Sequence, residues 1–279
     1  VGRALLHLLG SEGVGFNSQQ LDFRLFDHLE ADLTRLCPEP PKAIINAAAY
    51  TQVDQAEQDN SINLAVNAYA PGILADWCAK REIPLIHYST DYVFPGTGFL
   101  PWREDDIPKP INAYGAAKLL GEASVLQRAP KSLIFRTSWV YDAYGKNFFR
   151  TMLRLGEKMS EISIVFDQVG APTYAPHLAA ATLRALDRAL DLPEFPSGVY
   201  HLCNSGETSW YEFAQAIFHR AKIPLKVRPI KSAEFPTRAQ RPKNSKLNTE
   251  KVFKTLGVKL PPWKRGLDDC WEEYESHLS

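Results

Sequence analysis

Tyr114 and Lys118 stand four residues apart in the stretch "YGAAKLLGE". On a helix that spacing puts both side chains on one face. A phenol, with an ordinary pKa near ~10, is a poor acid–base catalyst at neutral pH. A fixed ammonium beside it favours the phenolate and lowers that pKa, each unit being worth about 1.4 kcal/mol. The same ammonium can hydrogen-bond a ribose hydroxyl. Earlier in the chain, "STDYVF" supplies the Thr90 hydroxyl at the end of an apolar run. Hydroxyl, phenol and ammonium together can hold and protonate a carbonyl oxygen while a hydride reaches its carbon. Each part also has a plainer reading. An isolated Tyr-x-x-x-Lys is a solvated helix face, and a threonine at a strand end is a cap or turn residue.

Such groups work only if the chain brings them to one place. Short β-branched runs alternate with helical stretches. "KAIINAAA" reads as a buried strand, "NAYAPGILADWCAKREI" as a helix, and "PLIHYSTDYVF" as the next strand. "YGAAKLLGEASVLQ" is helical, offering Leu119, Leu120 and Val125 to the core, and "SLIFRTSWVY" is a strand again. This alternation predicts an α/β protein with a doubly wound, Rossmann-like parallel sheet. In such sheets ligands bind beyond the carboxyl ends of the strands. That rule selects Ala48 to Thr51, Ser89 to Asp91, and Thr137 to Trp139. The opening "VGRALLHLLG" is helical, with Val1, Leu5, Leu8 and Leu9 on one side and Gly10 placed to end it. Beyond about Tyr141, "KNFFRTMLRLGEKM" is an amphipathic helix. "GAPTYAPHLAAATLRALDRAL" is a turn and long helix with Thr173 as its expected cap, and "GVYHLCN" is a late strand. The tail from about Ser205 holds two helical stretches around the basic "KSAEFPTRAQRPKNSKLNTEK", which reads as a smaller lobe or as an exposed loop.

The 279 residues are 45% hydrophobic, enough for a substantial core. A formal net charge of zero leaves no electrostatic footprint for nucleic acid or an acidic membrane surface. Cys37, Cys78, Cys203 and Cys270 form no metal-binding spacing, and reduced thiols in a cytoplasm are the expectation. No apolar run approaches the roughly 18 residues of a membrane span.

The chain resembles the extended short-chain dehydrogenase/reductase superfamily, and within it the dTDP-4-dehydrorhamnose reductase family. The resemblance runs almost end to end. It rests on "INAAAYTQVDQAE", "HYSTDYVFPG", "YGAAKLLGE", "IFRTSWVY", "DQVGAPTYA" and "RPKNSKLNTEK". It implies reduction of dTDP-4-dehydro-β-L-rhamnose by NADPH or NADH, the last step toward dTDP-L-rhamnose, a precursor of polysaccharides such as O-antigen. Residues 1–141 and about 172–204 would bind the cofactor; about 142–171 and 205–279 would bind the sugar nucleotide. Tyr114 would give its proton to the C4 oxygen. Lys118 would tune Tyr114 and hold the nicotinamide ribose, and Thr90 would hydrogen-bond the sugar beside Asp91. Trp139 would pack on the sugar or its base, although its type alone reads as core. Ala49, Tyr50 and Thr51 would line the cofactor's phosphate and ribose, and Tyr88 the nicotinamide. Asp22 and Phe23 would meet the adenine, or are a turn and a core residue. Arg241 and Asn244 would face the diphosphate.

The chain departs from the family pattern in three respects. Gln55 replaces a frequent lysine. Asn17 and Ser18 stand where NAD-preferring members carry an acid, so nothing there repels a 2′-phosphate. Ala4 and Pro176 occupy places where some members hold a bridging metal, so we expect no metal and a monomer or weak homodimer. Gly2 reads as the third glycine of G-x-x-G-x-x-G, with a first strand and two glycines expected before Val1. Two other functions compete. A non-catalytic regulatory subunit of the same fold would have no need of Tyr114, Lys118 and Thr90. A related epimerase or dehydratase needs a further acid or base, and Asp91-Tyr92 is not the Asp-Glu pair that a dehydratase uses.

Overall fold

In a computed structural model, which describes residues 1–277, strands Ile44–Asn46, Leu85–Thr90, Ser132–Thr137 and Gly198–His201 form one parallel sheet in that order. Alternation along each strand divides the sheet's apolar residues between two faces. Leu85 and Ile134 join Leu74, Trp77 and Val125 on one side. Ile86, Leu133 and Phe135 join Leu178, Ala181 and Ala185 on the other. Helices Ala70–Ala79 and Ala113–Arg128 cover the first face, and helix Ala175–Asp191 covers the second. The opening helix, Gly2–Leu9, packs Ala4 and Leu5 against Ala179.

Local chemistry explains where the helices begin. Asn112 accepts from the Gly115 amide at 2.8 Å and so caps the helix that carries Tyr114 and Lys118. Gly115 and Gly121 let this helix lie against backbone. A Cβ at either would come within 2.2 Å of a carbonyl oxygen, that of Tyr92 or Asn67. The sequence-predicted helix around "NAYAPG" includes a π-helical stretch, Ala65–Tyr69, before the α-helix resumes. Pro71 has no amide hydrogen to give Asn67 oxygen four residues earlier, and the wider turn avoids the clash. Helix Ala175–Asp191 begins at Tyr174 with Pro176 in its first turn; Thr173 is not its cap but lies in a short strand, its hydroxyl donating to Ala171 oxygen. Leu120 and Leu8 are exposed rather than in the core.

The second core is built on aromatic residues. Phe149, Phe213, Trp263 and Trp271 pack together with Tyr141 and Tyr174. A parallel pair, Glu161–Val165 and Lys226–Ile230, lies beside it. Among the described residues the tail has three α-helices rather than two: Trp210–Arg220, Glu250–Leu256 and Trp263–Ser276. Of these, Glu250–Leu256 sends Val252 and Leu256 into the cluster behind the main sheet, not into the aromatic core.

Candidate active site

Leu85, His87 and Ser89 project from one face of their strand, and Lys118, Glu122 and Val125 from one stripe of the helix above it. The two sets meet. Lys118 Nζ lies 3.3 Å from His87 Nε2, and the Ser89 hydroxyl donates to Glu122. Glu122 in turn takes two hydrogen bonds from Arg136, 2.9 and 2.7 Å, with both side chains almost wholly buried. This pair fastens the helix to two strands and fixes the height of Lys118 over the sheet. Arg136 also lies over the Phe94 ring, which stacks on Trp102.

Thr90 ends the central strand, where its hydroxyl accepts from the Tyr92 amide at 3.2 Å and faces Asp91 Oδ1 at 3.1 Å. Tyr114 sits in the first turn of its helix, its ring edge-on to Tyr92. Burial, and then the Asp91 charge, raise the Tyr114 phenol above its ordinary pKa, while the Thr90 hydroxyl works the other way. The expected lowering by Lys118 is not found. Lys118 Nζ instead donates to Tyr88 oxygen at 2.5 Å, so its charge is directed at a strand carbonyl. Burial lowers Lys118 to about 8, against the opposing charge of Glu122. Asp91 is pushed up to about 7 by burial, with Ser245 and Thr90 hydrogen bonds resisting.

The structure places the remaining expected residues unevenly around this centre. Gly2 starts the first helix close to Ala47, just past strand Ile44–Asn46. Ala49 and Thr51 are exposed and Tyr50 half-buried in the loop after that strand. Tyr50 nitrogen donates to Asn67 Oδ1, and Asn67 Nδ2 returns a bond to Tyr50 oxygen. Asn67 also donates to Asn63, which reaches Ala113 oxygen at the start of the tyrosine helix. Sequence reading missed both asparagines; Pro71, four residues past Asn67, is the signal that its carbonyl is diverted. The Tyr88 hydroxyl pairs with Thr182 at 2.6 Å, and its carbonyl meets Lys118. Asn17 and Ser18 lie in an exposed turn that Asn17 itself braces through the Gln19 amide. Asp22 caps a short helical turn and pairs with Arg24, and Phe23 is in the core, the plainer of the two readings.

A cleft of about 1600 Å³ opens beside Tyr92 and runs between the sheet and the aromatic core. Asp54, Arg241, Asn244, Phe148 and Trp210 are in its walls. Arg241 holds Asp54 in a two-pronged ion pair at 3.1 and 2.6 Å. Asn244 lines this cleft beside Arg241. Its amide donates to Leu100 and Thr97 oxygens and so ties down the loop over the cleft. Trp139 adopts a positive φ of 49° and stacks on Trp210, with ring centres 3.7 Å apart. Trp210 was missed because it reads as the first residue of an ordinary amphipathic helix.

A buried lysine, a phenol and a hydroxyl at one strand edge, beside a glycine-started helix and an open loop, fit a dinucleotide on one side and a carbonyl substrate on the other. Comparison with known proteins agrees. The family model described as RmlD substrate binding domain matches residues 1–276. The dTDP-4-dehydrorhamnose reductase of Escherichia coli K12 is 44% identical over 233 residues, 81% of this chain and 78% of that protein. That of Burkholderia thailandensis is 44% identical over 241 residues, 82% and 81% of the two chains. The crystal structure of the Bacillus anthracis dTDP-4-dehydrorhamnose reductase in complex with NADP superposes with a TM-score of 0.90 at 35% identity, covering 98% of this chain and 95% of that one. The chain belongs to the RmlD substrate-binding-domain family, that of the dTDP-4-dehydrorhamnose reductases.

Proposed function

We propose that the protein reduces the C4 ketone of dTDP-4-dehydro-β-L-rhamnose to give dTDP-L-rhamnose, with NADPH as its cofactor and NADH as a second choice. The observation that carries this reading is the convergence of Thr90, Tyr114 and Lys118 at the carboxyl edge of the sheet, beside a cleft that holds Arg241. Bound NADPH supplies the hydride. Gly2, Ala49, Tyr50, Thr51 and Lys118 are the residues we assign to hold it, with Tyr88 along the nicotinamide side. Asn17 and Ser18 place no carboxylate against a 2′-phosphate.

Burial keeps the Tyr114 phenol protonated well above neutral pH, the state a proton donor must be in. Tyr114 gives that proton to the C4 oxygen as charge develops there, and the Thr90 hydroxyl orients the same oxygen. The phenolate left behind is restrained by the Thr90 hydroxyl. Arg241 offers a planar fork to the diphosphate, in exchange for its bond to Asp54. The Trp139–Trp210 stack forms an apolar wall for the sugar or base. Ala4 and Pro176 cannot ligate, and we propose that no metal bridges two copies.

The test is NADPH oxidation with dTDP-4-dehydro-L-rhamnose, followed by NMR of the product. Formation of the rhamno epimer, with kcat/KM for NADPH at least equal to that for NADH, is the expected result. No turnover with either cofactor would favour the non-catalytic relative.

A further inference from the structure

Beneath Lys118 a line of buried polar groups runs across two strands. Asn46 and His87 are paired in register, and both are buried. Asn46 Oδ1 accepts from the Ala48 amide at 3.1 Å. Its amide nitrogen therefore faces His87 Nδ1, at 3.0 Å. An amide nitrogen only donates, so Nδ1 must accept and the ring proton belongs on Nε2. That Nε2 is the atom 3.3 Å from Lys118 Nζ. An ammonium has no lone pair with which to receive a hydrogen bond, whereas an amine has one.

We propose that His87 is a positioning residue for Lys118: held by Asn46 in its Nε2–H form, it presents a donor to Nζ and so favours the neutral amine over the ammonium. The alternative arrangement shows what this costs to reverse. A charged Lys118 needs Nε2 as an acceptor, which puts the proton on Nδ1. Asn46 must then turn its amide over, and the Ala48 amide loses its acceptor. The charge on Lys118 is thereby linked to the head of the loop Ala48 to Thr51. The ionisable groups around Lys118 are His87 on the strand, Tyr114 and Glu122 on its own helix, and Arg136 behind Glu122. Glu122 opposes His87 but is shared with Arg136, and burial acts with His87. His87 itself stays neutral, since burial and the Lys118 charge both lower it. The functional consequence rests on the reductase reading. A lysine balanced between its two forms near neutral pH can return a proton to the phenolate that Tyr114 leaves.

The experiment is NMR on the full chain without cofactor, labelled with ¹⁵N-histidine and ¹³Cε-lysine. Lys118→Met identifies the Lys118 resonance by its loss. We expect Lys118 to change protonation near pH 8, and His87 to be in the Nε2–H form at pH 9, where Lys118 is the amine. His87→Phe fills the same space and removes the donor; it should raise the Lys118 midpoint by one pH unit or more. Were His87 only packing, an apolar ring would leave that midpoint unchanged or lower it, and either result overturns the proposal. An Nδ1–H form in the unaltered protein at pH 9 overturns it even if His87→Phe fails to fold. Neither measurement uses substrate or cofactor, so failure here and failure of the reductase assay are separable.

Discussion

Tyr114 has a phenol that burial holds in its protonated form, next to a hydroxyl that can share the charge once the proton leaves. Tyr114→Phe keeps the ring against Tyr92 and removes the proton. It should lower kcat by about 100-fold or more, while NADPH affinity, followed by fluorescence titration, stays within a few-fold. Asp91 yields a second expectation at this scale. Its carboxyl ionises near 3.8 in an unfolded chain and at about 7 here. The folded state therefore retains a proton that the unfolded chain releases. The resulting stability is fully present below pH 4 and is lost as pH rises through 7. Melting temperature should fall over that interval, and Asp91→Asn should flatten the fall. Thr90, Tyr114 and Lys118 were legible in the sequence because type and spacing alone announce their chemistry. His87 and Asn46 were not. A polar residue within a strand looks like a gap in the pattern, and their partners stand 31 and 41 residues away.

Elements hold these groups through one helix and two strands. The Glu122–Arg136 pair is the fastening, and it is buried on both sides. Glu122→Ala leaves a guanidinium in the core with no counter-charge. Urea denaturation should show a loss of about 3–5 kcal/mol, with Lys118 freed from the charge that raises its pKa. The alternation of strand and helix was readable from residue 44 to 141 because apolar periodicity is strong there and the elements are long. Interruptions were harder to read. The π-turn before Pro71 arises from a carbonyl displaced by one proline ring, and helical periodicity on either side hides it. The short strands near Trp139 and Thr173 have two residues each, too few for a period of two to be visible. Helix Glu250–Leu256 follows a basic stretch that belongs to the cleft, so its return to the main sheet depends on tertiary packing alone.

At the scale of the molecule, the cleft between sheet and aromatic core is crossed by Arg241 and Asp54. An anionic ligand must compete with Asp54 for the guanidinium. Arg241→Gln should weaken dTDP binding, measured by calorimetry, by tenfold or more and leave NADPH binding little changed. Asp54→Asn should leave dTDP binding as it is or strengthen it. None of the described helices is long and apolar enough to cross a membrane. The stacked indoles of Trp139 and Trp210 carry a consequence of another kind. One follows the third strand of the main sheet, and the other begins a helix of the aromatic core. Two chromophores with near-parallel planes, 11° apart at 3.7 Å, share their electronic excitation. The protein thus has a built-in optical gauge of the distance between its halves. Near-ultraviolet circular dichroism should contain a coupled tryptophan band that Trp210→Phe abolishes. A change in that band on adding dTDP would record the halves moving, with no dye attached.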